Sequence, residues 1–194
     1  MRSFRSLTRM TEESWLFYMK VILVAVTSIN GKLTHGDDPN IYTWTSKEDS
    51  EIFFRLIEKH NLIVMGSKTY EAVRSIIKLK KDKLRIVLTR NPRKYKDDTV
   101  KGSLEFSSES PKDLVKRLET KGYKEMLLVG GTKVNTAFLK NGLVDELHLT
   151  IEPLIFGKGK NLVLDEEFYV SLELFEFKRL NKKGTLCLIY KVNK

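Results

Sequence analysis

Two stretches of the chain run from an apolar segment through glycine into a helical pattern. Met126 to Val129 stops at Gly130-Gly131, and Thr132, Lys133 and Val134 open a helix. Leu62 to Met65 stops at Gly66, and Ser67, Lys68 and Thr69 open another. A buried strand that turns through glycine into a helix presents free backbone N–H groups to an anion. Glycine lets a ligand approach the backbone closely. Two such termini in one small chain imply one ligand carrying more than one phosphate. The glycines do not form a G-x-G-x-x-G fingerprint, so this is not the usual dinucleotide turn.

Other reactive side chains are sparse. Ser28, Ser46 and Cys187 lack the neighbouring base that nucleophilic catalysis requires. His35, His60 and His148 show no metal-ligand spacing, and no metal is expected. One cysteine allows no internal disulfide, which fits a reducing, cytoplasmic setting. No apolar run approaches a membrane span. The net charge of +10 attracts anions such as phosphorylated cofactors or carboxylated substrates. The lysines are spread along the chain without an aromatic-basic motif, so nucleic acid is not the expected partner.

The elements that must position these residues can be read from patterning. With 41% hydrophobic content the chain can fill a core without staples. Val21 to Thr27 reads as a buried strand, followed by a turn at Ile29 to Lys32. Thr45 or Ser46 caps a helix reaching about Lys59, with Glu48 and Asp49 in its first turn and Ile52, Phe53, Leu56 and Ile57 on one face. Leu62 to Met65, Leu84 to Thr89, Met126 to Val129 and Glu146 to Glu152 read as strands. Lys68 to about Ile76, Pro111 to Thr120 (capped by Ser110) and Lys133 to Lys140 read as helices. Leu172 to Leu180 and Thr185 to Val192 form a terminal hairpin. The alternation implies one α/β domain over 19–194, with a mostly parallel sheet and an antiparallel edge. Residues 1–18 read as a poorly ordered N-terminal extension, compatible with a transit-like leader, a vector remnant or an overcalled start.

Six ordered motifs carry a resemblance: VILVAVTSINGKL, WTSKED, LIVMGSKTYE, RIVLTRNP, LLVGGTKVNTAFL and VDELHLTIEPLIFGKGKNL. Together they resemble the dihydrofolate reductase superfamily, including the reductase domains of riboflavin-biosynthesis deaminase-reductases. The resemblance implies a three-layer α/β fold with helices on both faces of the sheet, and NADPH as cofactor.

It also implies roles. Asp49, five positions after Trp44, matches the carboxylate that grips the amino-pyrimidine edge of a pterin and serves in proton supply. The residues alone also allow Asp49 merely to complement the helix N-terminus. Phe53, one turn on, would lie against the ring, and Trp44 would wall the site; either could equally be core. Thr150 would bond the carboxylate through water, with an outward-facing strand position as the alternative. Ala25 and Val26 would hold the nicotinamide amide, with Val26 also near substrate. Asn30, Gly31 and Leu33 begin a mobile loop, 30–44, over the nicotinamide. Gly66, Ser67, Lys68 and Thr69 would bind phosphates at one helix start, and Val129, Gly130, Gly131, Thr132, Lys133 and Val134 at the other. Leu88, Thr89 and Arg90 would lie near the adenosine 2′-phosphate. In the family the Gly-Gly peptide is cis.

Three departures bear on the substrate. The family's Gly-x-Pro-Leu-Pro-Gly stretch is replaced by lysine-rich Arg74 to Lys83. No arginine matches the clamp on the folate glutamate, for which Lys83 or Arg85 would have to stand in, and a lysine offers no bidentate fork. Asn135 stands where folate reductases carry tyrosine. Pro153 to Gly159 resembles the riboflavin-type branch, whose members commonly dimerise, so a homodimer is one expected assembly. The absence of a His-x-Glu…Cys-x-x-Cys pattern excludes a zinc deaminase within this chain. The first functional expectation is NADPH-dependent reduction of 7,8-dihydrofolate. The alternatives are reduction of a ribosylaminopyrimidine phosphate, and a non-catalytic binder of NADPH or nucleic acid.

Overall fold

The computed structural model describes residues 18–194. The expected N-terminal extension therefore lies almost wholly outside the described residues. Eight strands form one sheet: β1 (Lys20–Ser28), β2 (Leu62–Gly66), β3 (Leu84–Leu88), β4 (Leu104–Ser107), β5 (Glu125–Leu128), β6 (Glu146–Glu152), β7 (Ser171–Arg179) and β8 (Leu186–Asn193). Their order is β4-β3-β2-β5-β1-β6-β8-β7. All pairs from β4 across to β6 are parallel, and β8 and β7 join antiparallel at the far edge. The expected sheet type and terminal hairpin are present.

Among the described residues, four α-helices connect the strands: α1 (Lys47–Lys59), α2 (Ser67–Val73), α3 (Pro111–Thr120) and α4 (Thr132–Lys140). Parallel strands require crossovers, and these helices supply them on both faces. One face packs Leu114, Leu118 and Phe138 of α3 and α4 against Val21, Leu23, Val64, Ile86 and Leu128. The other packs Leu56 and Ile57 of α1 and Tyr70 of α2 against Ile22, Ile63, Met65, Val87 and Leu127. The three layers follow from strands that are apolar on both sides.

Two segments differ from expectation. Residues 92–107, to which the sequence reading assigned no element, hold a short 3-10 segment (Pro92–Asp98) and the edge strand β4. Four residues are too few for periodicity to reveal, and β4 is defined by its pairing with β3. Helix α2 stops at Val73 rather than Ile76, although the N–H groups of Ile76 and Ile77 still reach the Val73 carbonyl.

The two ends of α1 are fixed by different chemistry. Ser46 is the N-cap, its hydroxyl accepting the Asp49 N–H. At the other end Lys83, only 4% exposed, donates from Nζ to the carbonyls of Ile57, Glu58 and His60. These are the orphan acceptors of a helix C-terminus. Lys83, expected to stand in for the substrate clamp, is thus engaged as a helix cap. Replacing Lys83 with Met keeps most of the volume and leaves those carbonyls without their donor. Denaturant unfolding of Lys83→Met should show a loss of about 1–3 kcal/mol. A loss below about 0.5 kcal/mol would remove the capping role.

Candidate active site

The sheet is split where the two glycine segments meet. β5 pairs with β1 only from Lys20↔Glu125 to Leu23↔Leu128, whereas β1 continues beside β6 as far as Ser28↔Glu152. Past Leu23, β1 has no strand on the β5 side. In its place the chain turns at Gly130-Gly131, a cis peptide, as the resemblance implied. The Gly66 N–H donates to the Gly130 carbonyl at 2.7 Å, so the loops after β2 and β5 are joined. A Cβ at Gly66 would come within 3.0 Å of Val134 Cγ2, and one at Gly131 within 3.3 Å of Thr69 Oγ1. Gly130 has φ +89°, a conformation that favours glycine.

This arrangement brings together most of the residues expected to hold a dinucleotide. The starts of α2 and α4 abut, and Gly66, Leu88 to Arg90 and Val129 to Gly131 all lie at the carboxyl ends of parallel strands, where such sheets bind ligands. Lys68, Arg90 and Lys133 are exposed around this edge. Ala25 and Val26 lie on the stretch of β1 that has no strand on its β5 side. The residues present therefore fit NADPH.

The loop after β1 departs from expectation. Asn30 Nδ2 donates to the Phe156 carbonyl at 2.7 Å, and Asn30 Oδ1 accepts from the Phe156 N–H and the Ser28 hydroxyl. Leu33 N–H bonds Lys160, Gly36 N–H bonds Lys158, and Leu162 N–H bonds the Gly31 carbonyl. A Cβ at Gly159 would lie 2.0 Å from the Thr34 carbonyl oxygen, so only glycine allows this approach. Residues 30–36 are therefore stitched to 154–162. The side-chain amide of Asn30, expected near the cofactor, is thus engaged as a bracket between the two segments. The Thr132 hydroxyl likewise donates to the Asn161 carbonyl at 2.6 Å.

Next to the split, a cavity of about 170 Å³ opens between α1 and the sheet. Asp49, Ile52, Phe53 and Leu56 line it from α1, and Val24, His148, Thr150, Cys187 and Ile189 from the strands. Register explains the floor: Val24, His148 and Ile189 form one rung, and Val26, Thr150 and Cys187 the next on the same face. Asp49, Phe53 and Thr150 thus meet as the sequence reading expected. Trp44 does not line the cavity. It packs edge-on against Phe156 at 5.2 Å, with its Nε1 buried and unpartnered within the protein.

Asp49 is 8% exposed. Burial pushes its carboxyl up to about 6, a hydrogen bond with Thr150 opposes that rise, and the Glu152 carboxylate adds to it. A carboxyl poised between neutral and charged can accept an N–H edge and can also hold a proton near an acceptor atom. His148, Cys187 and Glu152 were not singled out from sequence. The signal was available: His148, Thr150 and Glu152 alternate along β6, so three polar side chains share one inward face. Asn135 is fully buried, donating from Nδ2 to the Leu162 carbonyl while its Oδ1 has no protein partner.

The family model for the RibD C-terminal domain matches residues 19–186. An uncharacterized protein of Bacillus subtilis (strain 168), YyaP, is 30% identical over 88 residues, 45% of this chain and 46% of that protein. The aligned region thus spans about half of that relative. A putative riboflavin biosynthesis protein from Shewanella sp. PV-4 superposes with a TM-score of 0.72 at 22% identity, covering 91% of this chain and 100% of its own. Dihydrofolate reductase from Enterococcus faecalis, complexed with NADP(H), superposes at 0.66 with 19% identity, covering 90% and 97%.

The raised Asp49 carboxyl makes folding depend on pH. Its folded midpoint lies above the unfolded one, so its contribution to stability is present below the ordinary carboxylate range and lost as pH rises through about 6. Asp49→Asn removes that loss. The variant should gain on the order of 3 kcal/mol on wild type between about pH 3 and about pH 8. Denaturant unfolding at both ends tests this, and a pH-independent difference would contradict it.

Proposed function

The chain belongs to the RibD C-terminal domain family, and from that membership we propose that it is an NADPH-dependent reductase that delivers hydride to a C=N carbon of a substrate whose pyrimidine edge is held by Asp49. The observation that carries this reading is the buried Asp49 carboxyl in an apolar cavity that Thr150 also lines. A carboxylate there can take two N–H donors of an amidine-like edge, a charge-assisted pair if the ring is protonated. Phe53 lines the same cavity and offers a ring face for stacking.

The cofactor, when bound, supplies the hydride. Gly66 to Thr69 and Gly130 to Val134 would hold its phosphates, Thr89 and Arg90 its adenosine end, and the open edge of β1 at Ala25 and Val26 its nicotinamide amide. β1 is common to both sites: Val24 lines the cavity, and Val26 follows on the same face. The ring and the hydride donor would therefore meet across one strand, and orientation is what the protein contributes. The segments 30–36 and 154–162, bonded together, close one side against water.

Two substrates fit. Reduction of 7,8-dihydrofolate is favoured by Asp49 standing five residues after Trp44. Reduction of a ribosylaminopyrimidine phosphate is favoured by the family and by Lys83, the expected glutamate clamp, being spent as a helix cap. Purified protein should oxidise NADPH, in preference to NADH, when one of these two substrates is added. Asp49→Asn should lower kcat/KM at least tenfold, about 1.4 kcal/mol. Oxidation with neither substrate would overturn the reading, and unchanged turnover in Asp49→Asn would remove that residue from it.

We also propose a homodimer through β7. This edge strand exposes Leu174 and Phe177 at 49% and 69%, and a long apolar edge invites another strand. A bulge after Leu174 puts Leu174 and Phe177 on one face, opposite Tyr190 and Leu188 of β8. Antiparallel pairing of two copies about Phe175 and Glu176 would set Leu174 against the partner's Phe177 and Glu173 against the partner's Lys178. Sedimentation of wild type should give a dimer and of Phe177→Glu a folded monomer. A wild-type monomer at high concentration would refute the pairing.

A further inference from the structure

Glu152 ends β6 and is 3% exposed, and both of its carboxylate oxygens are in use. Oε1 accepts the Ser46 N–H at 2.7 Å, and Oε2 accepts the Thr185 hydroxyl at 2.7 Å. Ser46 is the N-cap of α1, and its own hydroxyl accepts the Asp49 N–H at 3.3 Å. Thr185 opens the way into β8, and its oxygen accepts from Asn181 Nδ2 at 2.9 Å. Asn181 also reaches Glu48 Oε2 at 3.2 Å and takes the N–H groups of Gly184 and Thr185 on its Oδ1. One buried carboxylate therefore joins the first turn of α1, the end of β6 and the turn of the β7–β8 hairpin. A group this buried is costly unless each oxygen has a donor, and here each does.

We propose that Glu152 is a positioning residue for Asp49, fixing the first turn of α1 on the sheet and using its charge to set the protonation of the Asp49 carboxyl. The proposal rests on Asp49 being the ring-binding group. Geometry supplies the first half through the Glu152–Ser46–Asp49 relay. The second half follows from which groups face Asp49. From its own helix comes Glu48, whose carboxylate is turned to Asn181. From β6 come His148, bonded to Glu146 at 3.1 Å, Thr150 and Glu152. From β8 comes Cys187, and from the short helix before α1 comes Tyr42. Burial pushes both of these up, with the Asp49 charge adding to it, which leaves them neutral near neutral pH. Glu152 lies two residues beyond Thr150 on the same inward face of β6, and its carboxylate adds to the rise that burial imposes on Asp49.

Two variants separate charge from anchoring. E152Q keeps an acceptor for the Ser46 N–H and removes the charge. E152D keeps the charge on a side chain too short to reach both donors. In the full chain, carboxyl-carbon NMR titration should place the Asp49 midpoint roughly half a pH unit or more lower in E152Q, and still raised in E152D. Amide exchange at Ser46 should stay slow in E152Q and quicken about tenfold in E152D. An Asp49 midpoint equal in wild type and E152Q overturns the electrostatic role. Unchanged Ser46 exchange in E152D overturns the anchoring role. Both readouts are made without substrate, so they stand even if neither candidate substrate is turned over. Where turnover is measurable, the pH at which it falls should move down with the Asp49 midpoint in E152Q.

Discussion

The hydrogen bond from the Gly66 N–H to the Gly130 carbonyl is the constraint on which the site depends. It draws the chain leaving β5 towards β2 and away from β1. β1 keeps its β6 partner as far as Ser28 but loses its β5 neighbour at Leu23. A parallel sheet would normally be filled across this position, because unpaired backbone groups need partners. Here that side of β1 is left open, where the proposed cofactor would lie. The glycines follow from the same constraint: side chains at Gly66 or Gly131 would press on Val134 or Thr69, in the contact between the two helix starts.

The second requirement is a carboxyl kept out of water without wrecking the helix that carries it. Helix α1 contributes only Asp49 as a fully buried residue, so its own packing is light for its length. It is held instead at its ends. Lys83 gathers three carbonyls at the C-terminus, and the Ser46 cap, backed by Glu152, holds the N-terminus. Fixed ends allow the middle of the helix to stand over a cavity rather than close onto the sheet. A cavity under an unanchored helix would tend to collapse, since lost packing contacts are regained by closing the gap.

How much of this could be read from residues alone depends on the range of each interaction. The strands β1, β2, β3 and β5 are apolar runs bounded by turn residues, and they appear within a residue or two of the expected limits. Asp49 and Phe53 were legible because one helical turn puts them on one face, and both line the cavity. The strand β4 was not legible, being four residues whose pairing with β3 is settled by tertiary contact. Lys83 and Asn30 looked like ligand residues because their types suit binding. Their hydrogen-bonding groups are consumed by partners 23 to 26 positions away for Lys83, and 126 away for the contact between Asn30 and Phe156. Local spacing carries no trace of such pairings.

The same distinction bears on the substrate. On the proposed reading Asp49 would take an edge with adjacent N–H donors, a feature common to several heterocycles, and that residue was visible in the chain. The group that would tell one heterocycle from another must engage what lies beyond the ring, a carboxylated tail or a phosphorylated sugar. Neither Lys83, used as a cap, nor Arg85, 7% exposed on β3 with its NH1 buried and unpartnered, is presented as an exposed clamp. Discrimination is then left to the shape of the cavity mouth. A site built this way would grip the ring more firmly than its appendage, because a charge held in a buried site is screened far less than one in water.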